Sequence, residues 1–161
     1  MSQARLKPDT PRPAATRAKP LSYRALFDAP PMDLIHLVKR GVSAAHAKDL
    51  LGDFALARGA TLKALDLPAA TFNKKVKTNA SLSPAEGERV IGFARLVGQV
   101  EAMVEQSGDP TGFDAKAWLA RWLIDPLPAL GGARPLDLMD TMEGQNLVAA
   151  TLARVQSGAY A

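Results

Sequence analysis

Apolar residues recur every three or four positions through most of the chain after Pro31, and no stretch alternates with the period of two that a half-buried strand needs. The pattern predicts helices only. "PPMDLIHLVKRG" sets Met32, Leu34, Ile35, Leu37 and Val38 on one face, with Pro31 opening the helix and Gly41 closing it. "SAAHAKDLLGDFALARG" begins at Ser43 as N-cap and turns Leu50, Leu51 and Phe54 inward, with Gly52 bending or splitting it. The longest predicted helix is "SLSPAEGERVIGFARLVGQVEAMVEQSG": Ser83 is the N-cap, Pro84 takes the first helical position and Glu86 completes a capping box. Val90, Phe93, Ala94, Val97, Val100 and Val104 follow at helical spacing until Ser107 and Gly108.

"GDPTGF" is a turn cluster and the candidate boundary between two halves. Beyond it, Asp114 caps "AKAWLARWLI", which must stop before Pro126. Pro135 starts a short helix through Met139, and "EGQNLVAATLARVQSG" forms the last, with Val148, Leu152 and Val155 inward and Gly158 as terminator. Between them lies "LIDPLPALGGARPLDLM", an apolar run full of helix breakers. Pro126 and Pro128 stop one helix and stiffen an extended exit. Gly131 and Gly132 permit backbone angles closed to other residues, and Pro135 restarts a helix. A rigid apolar corner at the base of a partner-binding domain is expected, with Gly131, Gly132 and Arg134 exposed; Leu130 and Leu136 belong either to that surface or to the core as connectors.

"GATLKALDLPAATFNKKVKTNASLSP" reads as helix, tight turn, helix, with Thr61–Ala64 first, "LDLP" as the turn and Ala69–Lys77 second. The second helix carries Thr71, Asn73, Lys74, Lys75 and Lys77, side chains suited to phosphates and base edges. Leu62, Leu65, Leu67, Phe72 and Val76 pack behind them. The bland alternative is a lysine-rich helix exposed on an ordinary bundle.

Charge modifies this picture little. Residues 1–24 hold six Lys/Arg and one Asp, whereas the whole chain is only +4, so the remainder is nearly neutral and the basic character belongs to a proline-rich arm. That arm, residues 1–24, is expected to be disordered, with at most non-specific attraction for nucleic acid. The absence of cysteine excludes disulfides and thiolate metal sites and fits a reducing cytoplasm. No apolar run is long enough to span a bilayer, so no membrane partner is expected. Catalysis finds no support. His36 and His46 sit in no nucleophile–base motif, the glycine pair at 131–132 lacks a phosphate-loop spacing, and Asp137 and Asp140 read as solvated or capping residues. No cofactor or metal is implied.

The order of these elements resembles the Xre/MbcA/ParS family of antitoxins, which pair with RES-domain toxins. The resemblance covers roughly residues 32–161 and rests on Trp122-Leu123, Pro126, "ALGG" at 129–132, Pro135-Leu136, Thr141, Gly144 and Gly158. Upstream, "LSPAEGERV" resembles the start of the family's long helix, with Gly87 where serine is usual. Leu127 replaces the usual loop asparagine, and Asp66 replaces the helix-turn-helix glycine. The resemblance implies an all-α fold in which a helix-turn-helix-containing N-terminal bundle is joined by a long helix to a small helical C-terminal toxin-binding domain. The division is a basic tail at 1–24, an Xre-like domain at 25–107 and a toxin-binding domain at 108–161. It implies a non-enzymatic antitoxin that blocks an NAD-consuming or ADP-ribosylating RES toxin. As a homodimer it would bind operator DNA through Thr71, Asn73, Lys74, Lys75 and Lys77. The toxin side is assigned to Gly131, Gly132, Arg134 and Arg154, and to Tyr160 and the carboxylate of Ala161 reaching the toxin's NAD cleft. The alternatives are a plain helix-turn-helix regulator whose C-terminal half only dimerises, and a helical adaptor without DNA contact.

Overall fold

The computed structural model describes residues 21–158 apart from 53, 55 and 58. Among the described residues the chain is all-α, with one isolated bridge between Ser43 and Ser81 in place of any strand. The helices are α1 (Tyr23–Asp28), α2 (Pro31–Arg40), α3 (Ala44–Leu51), α4 (Ala60–Ala64), α5 (Ala69–Lys77), α6 (Pro84–Ser107), α7 (Ala115–Ile124) and α8 (Met142–Gln156). Two 3-10 turns, Pro128–Leu130 and Pro135–Leu138, lie between α7 and α8.

Helix α6 is the axis. Its start is the capping box read from the sequence: Ser83 Oγ accepts from Glu86 N–H at 3.2 Å and Glu86 Oε2 accepts from Ser83 N–H at 2.8 Å. Val90, Ile91, Phe93, Ala94, Leu96, Val97 and Val100 are all buried, so the middle of α6 is apolar around most of its circumference. Helices α1, α2, α3, α7 and α8 pack directly on it. Helix α8 runs parallel to α6. Gln145 Nε2 donates to the Arg89 carbonyl (3.0 Å), Gln99 Nε2 to the Ala149 carbonyl (3.0 Å), and Gln156 Nε2 to Gln106 Oε1 (2.9 Å).

Two glycines set how closely these neighbours approach. A Cβ at Gly98 would collide with the Tyr23 carbonyl oxygen, and one at Gly92 with Gln145 Oε1. Glycine inside a helix costs about 1 kcal/mol relative to alanine, and here close packing of α1 and α8 offsets it.

Three sequence expectations are corrected. The arm assigned to residues 1–24 ends sooner, because Tyr23 and Arg24 already belong to α1, which Ser22 caps by accepting from Ala25 N–H. Tyr23 Oη donates to the Leu50 carbonyl at 2.7 Å, which ties α1 to α3; residues 1–20 lie outside the described residues. On α2, Met32 (58% exposed) and Ile35 (43%) do not share the buried face of Leu34, Leu37 and Val38. Five apolar residues in seven positions cover more of a helix than one face, and the core takes only the stripe through Val38. On α8, Val155 is 39% exposed, because the parallel helices meet there through Gln156 instead.

Replacing Gly98 by alanine should destabilise the fold by about 1–3 kcal/mol, the usual cost of overpacking against backbone. The Cβ cannot be accommodated without moving α1, so protection of the Tyr23 amide region from proteolysis should fall with it. Chemical denaturation monitored by circular dichroism measures the first effect. A variant as stable as the parent would show that α1 is not seated against Gly98.

Candidate functional site

The helix-turn-helix is α4, a turn and α5. Helix α4 ends in a Schellman arrangement: Leu67 N–H donates to the Leu62 carbonyl (2.8 Å) and Asp66 N–H to the Lys63 carbonyl (3.1 Å). That geometry requires a left-handed residue, and Asp66 fills it at φ 51°. Aspartate adopts this conformation less readily than glycine. Here Arg89 of α6 grips the turn, its Nε donating to the Leu65 carbonyl at 2.7 Å and Nη2 to the Asp66 carbonyl at 3.3 Å. Helix α5 ends the same way, with Asn79 at φ 52° and Ala80 N–H donating to the Lys75 carbonyl at 2.9 Å.

The five residues singled out for DNA lie on α5 but do not share one environment. Thr71, Asn73, Lys74 and Lys77 are exposed, and Phe72 is buried behind them. Lys75 is half-buried, and its Nζ lies 2.6 Å from Glu86 Oε2, the carboxylate that also closes the α6 cap. Burial of Glu86 pushes its carboxyl up, but the hydrogen bonds and charge of Lys75 and the Ser83 N–H outweigh that and hold it below the usual carboxylate range. Lys75 therefore joins α5 to α6, while Lys74 and Lys77 are left to face outward.

The segment from Pro126 to Met139 is a closed corner. The Leu127 carbonyl accepts from both Leu130 N–H and Gly132 N–H at 2.9 Å, and Leu127 N–H donates to the Ala133 carbonyl at 3.1 Å. Gly131 and Gly132 are left-handed at φ 66° and 86°, exposed, with open space where a side chain would be. Pro135, Leu136 and Met139 are buried and anchor the corner against α7, α8 and α4. Arg134 is exposed and forks onto Asp137, Nε to Oδ2 at 2.9 Å and Nη2 to Oδ1 at 2.7 Å. The paired guanidinium holds the Asp137 carboxyl below its ordinary range, and the arginine rises in return. Gly144 lets the start of α8 close over the corner, since a Cβ there would strike the Leu138 carbonyl oxygen. Arg154 is exposed in the last turn of α8, and Gly158 follows at φ 69°; Tyr160 and Ala161 lie outside the described residues.

Seven large apolar side chains are exposed among the described residues, and five of them, Phe113, Ile124, Met142, Leu147 and Val155, follow residue 107. The exposed apolar side chains are thus concentrated in the C-terminal third. In comparison with known proteins, residues 108–158 match the family described as the antitoxin Xre/MbcA/ParS C-terminal toxin-binding domain. Residues 33–95 match the antitoxin Xre-like helix-turn-helix domain. A relative from Sphingobium sp. (strain YBL2), described as "Prs ADP-ribosylating antitoxin", is 50% identical over 142 residues, covering 88% of this chain and 89% of the relative.

The chain belongs to the Xre/MbcA/ParS antitoxin family. Its role is that of an antitoxin rather than an enzyme, and its two matched parts are a helix-turn-helix and a toxin-binding domain. Sequence reasoning missed Arg89 and Gln145, which join the antitoxin's two parts through α6. The signal for Gln145 was present, because it falls on the same α8 stripe as Val148 and Leu152. Arg89 stands at the end of the "LSPAEGER" stretch that resembles the family's helix start, but its role was not readable because its partners lie more than twenty residues upstream.

The Lys75–Glu86 pair has a pH signature. A carboxylate held below its unfolded value contributes stability above the ordinary carboxylate range and loses it as pH falls through the lowered folded value. Gln can still close the capping box, so Glu86→Gln removes mainly the ion pair and should be less stable than the parent by up to about 1 kcal/mol at neutral pH. The gap should close as the pH is taken below that lowered value. Urea melts across pH 3–7 measure it, and a gap that stays constant with pH would mean the charge of Glu86 contributes nothing.

Proposed function

We propose that this antitoxin binds and blocks a RES-domain toxin that acts on NAD+, in the cytoplasm, and represses its own operon by binding operator DNA as a homodimer. The observation that carries the toxin reading is the 50% identical relative whose description contains ADP-ribosylation, a reaction that consumes NAD+. It favours ADP-ribose transfer over simple NAD+ degradation as the partner's chemistry. The domain division is proposed as α1 through residue 107 for the helix-turn-helix half, which moves the expected boundary at 25 to include all of α1, and 108–161 for the toxin-binding half, with α6 as shared floor. Gly131, Gly132 and Arg134 are proposed as a rigid, side-chain-poor corner against the toxin. Arg154 is proposed to pair with a toxin carboxylate, and Tyr160 with the Ala161 carboxylate to enter the NAD cleft, where basic groups bind pyrophosphate.

The test co-purifies the antitoxin with a candidate RES-domain toxin and assays NAD+ turnover. Deleting residues 159–161 should weaken inhibition about tenfold, the size of an interface anchor, and Arg154→Ala should weaken it less. If the deletion leaves inhibition intact, the plug is the Gly131–Arg134 corner and not the tail.

Operator binding is proposed to run through the exposed face of α5, with Thr71 and Asn73 toward base edges and Lys74 and Lys77 toward phosphates. Lys75 is proposed to contribute field rather than contact. Lys74→Ala with Lys77→Ala should reduce the slope of log affinity against log salt by roughly 0.9 for each phosphate that is no longer neutralised. Lys75→Ala should change that slope less and lower the melting temperature instead. Equal slope changes for all three would return Lys75 to the phosphate-binding set, and no change for any would remove α5 from the interface.

A further inference from the structure

We infer that residues 11–20, the proline-rich basic stretch "PRPAATRAKP", dock in the groove that runs from Leu21 past Glu101 to the turn between α6 and α7, which thereby serves as an intramolecular seat for the arm. The groove consists of two clefts that share Glu101 and Lys116. The first, of about 370 Å³, is lined by Tyr23, Asp49, Leu50 and also Leu21, so the first described residue is part of its wall. The second, of about 550 Å³, is lined by Val104, Glu105, Pro110, Phe113 and Asp114 at the far end of α6. Phe113 is 41% exposed there.

The groove combines an apolar and aromatic wall with an acidic rim. Four carboxylates line it, Asp49, Glu101, Glu105 and Asp114, against one ammonium, that of Lys116. Glu105 is paired with Arg24, and Lys116 Nζ stands 5.9 Å from the centroid of the Tyr23 ring. Glu101 makes no ion pair among the described residues. Burial, and then the charge of Glu105, hold the Glu101 carboxyl above its ordinary range, against the pull of Arg24 and Lys116. A further cation beside Glu101 offsets both.

The arm has the matching chemistry. Residues 11–20 carry Arg12, Arg17 and Lys19 and no acid, with prolines at 11, 13 and 20. Proline-rich peptides dock extended in aromatic-lined grooves, and their restricted backbone lowers the entropy lost on docking. The reach is sufficient. Tyr23 sits against Gly98, and α6 ends at Ser107, which is about 14 Å further at the helical rise of 1.5 Å per residue. About five residues of extended chain cover that span, so Lys19 comes within reach of Glu101 and Arg17 within reach of the carboxylates beyond it. A short tether supplies an effective concentration on the order of millimolar, so even a groove that holds the free peptide with a Kd of about 1 mM is half filled. Charge seated in the groove is withdrawn from non-specific attraction to nucleic acid.

The chain has no cysteine, so Ala15→Cys gives the full-length protein a single site for a spin label. Paramagnetic broadening of the Gly112 and Phe113 amides is compared with that of α5, which packs at the other end of α6 beside Glu86. Docking predicts broadening at Gly112 and Phe113 that falls about threefold or more when Glu101→Gln removes one ion pair. It should fall as far when Arg17→Ala is combined with Lys19→Ala, and when salt is raised to about 0.5 M. If Glu101→Gln lowers the melting temperature, the arm variants decide, because they change no residue of the packed helices. Broadening that is the same with and without the arm charges is that of a free tether and overturns the groove. Broadening that appears at α5 in its place overturns it as well and assigns the arm to the helix-turn-helix.

Discussion

Glutamine 145 reaches across from α8 and lays its amide on the backbone of α6, and much of the molecule is arranged around that contact. The Arg89 carbonyl that accepts from Gln145 belongs to the residue whose guanidinium holds the turn of the helix-turn-helix. One residue of α6 therefore faces the helix-turn-helix with its side chain and the toxin-binding part with its backbone. The second N–H of Gln145 holds the Met139 carbonyl at the end of the rigid corner. A buried amide with both donors matched fixes geometry more sharply than apolar packing, because a shift of an ångström breaks the pairing.

The approach depends on what α6 lacks. Gly92 receives Gln145 and Gly98 receives α1, between the large buried side chains of Val90, Ile91, Phe93, Leu96, Val97 and Val100. The corner at Pro126–Met139 then closes against α7, α8 and α4 together, so the two family domains share a core and are not beads on a linker. The two parts are joined physically through Arg89 and the 3-10 turn at Pro135–Leu138.

Local chemistry made much of this readable in advance. Ser43, Ser83 and Asp114 cap the helices they were expected to cap, α5 runs from Ala69 to Lys77 as its spacing requires, and Pro135 opens a short helical turn. Each of those features is decided by residues within four positions of one another. What was not readable depends on distant partners. Helix α1 has six residues, too few to be stable alone, and exists because α6 accepts it. Lys75 looks like its neighbours in the sequence and differs only because Glu86 lies across from it. Met32, Ile35 and Val155 fit an apolar period, but the core ends before it reaches them.

Native-state hydrogen exchange under increasing denaturant tests this architecture most directly. If Gln145, Arg89 and the glycine-seated contacts bind the molecule into one cooperative body, amides in the middle of α6, in α7 and in α8 should converge on the same opening free energy as those of α3 and α5. A lower, separate opening energy for α7 and α8, with α3, α5 and α6 still protected, would contradict the account and make the toxin-binding part an independently unfolding unit.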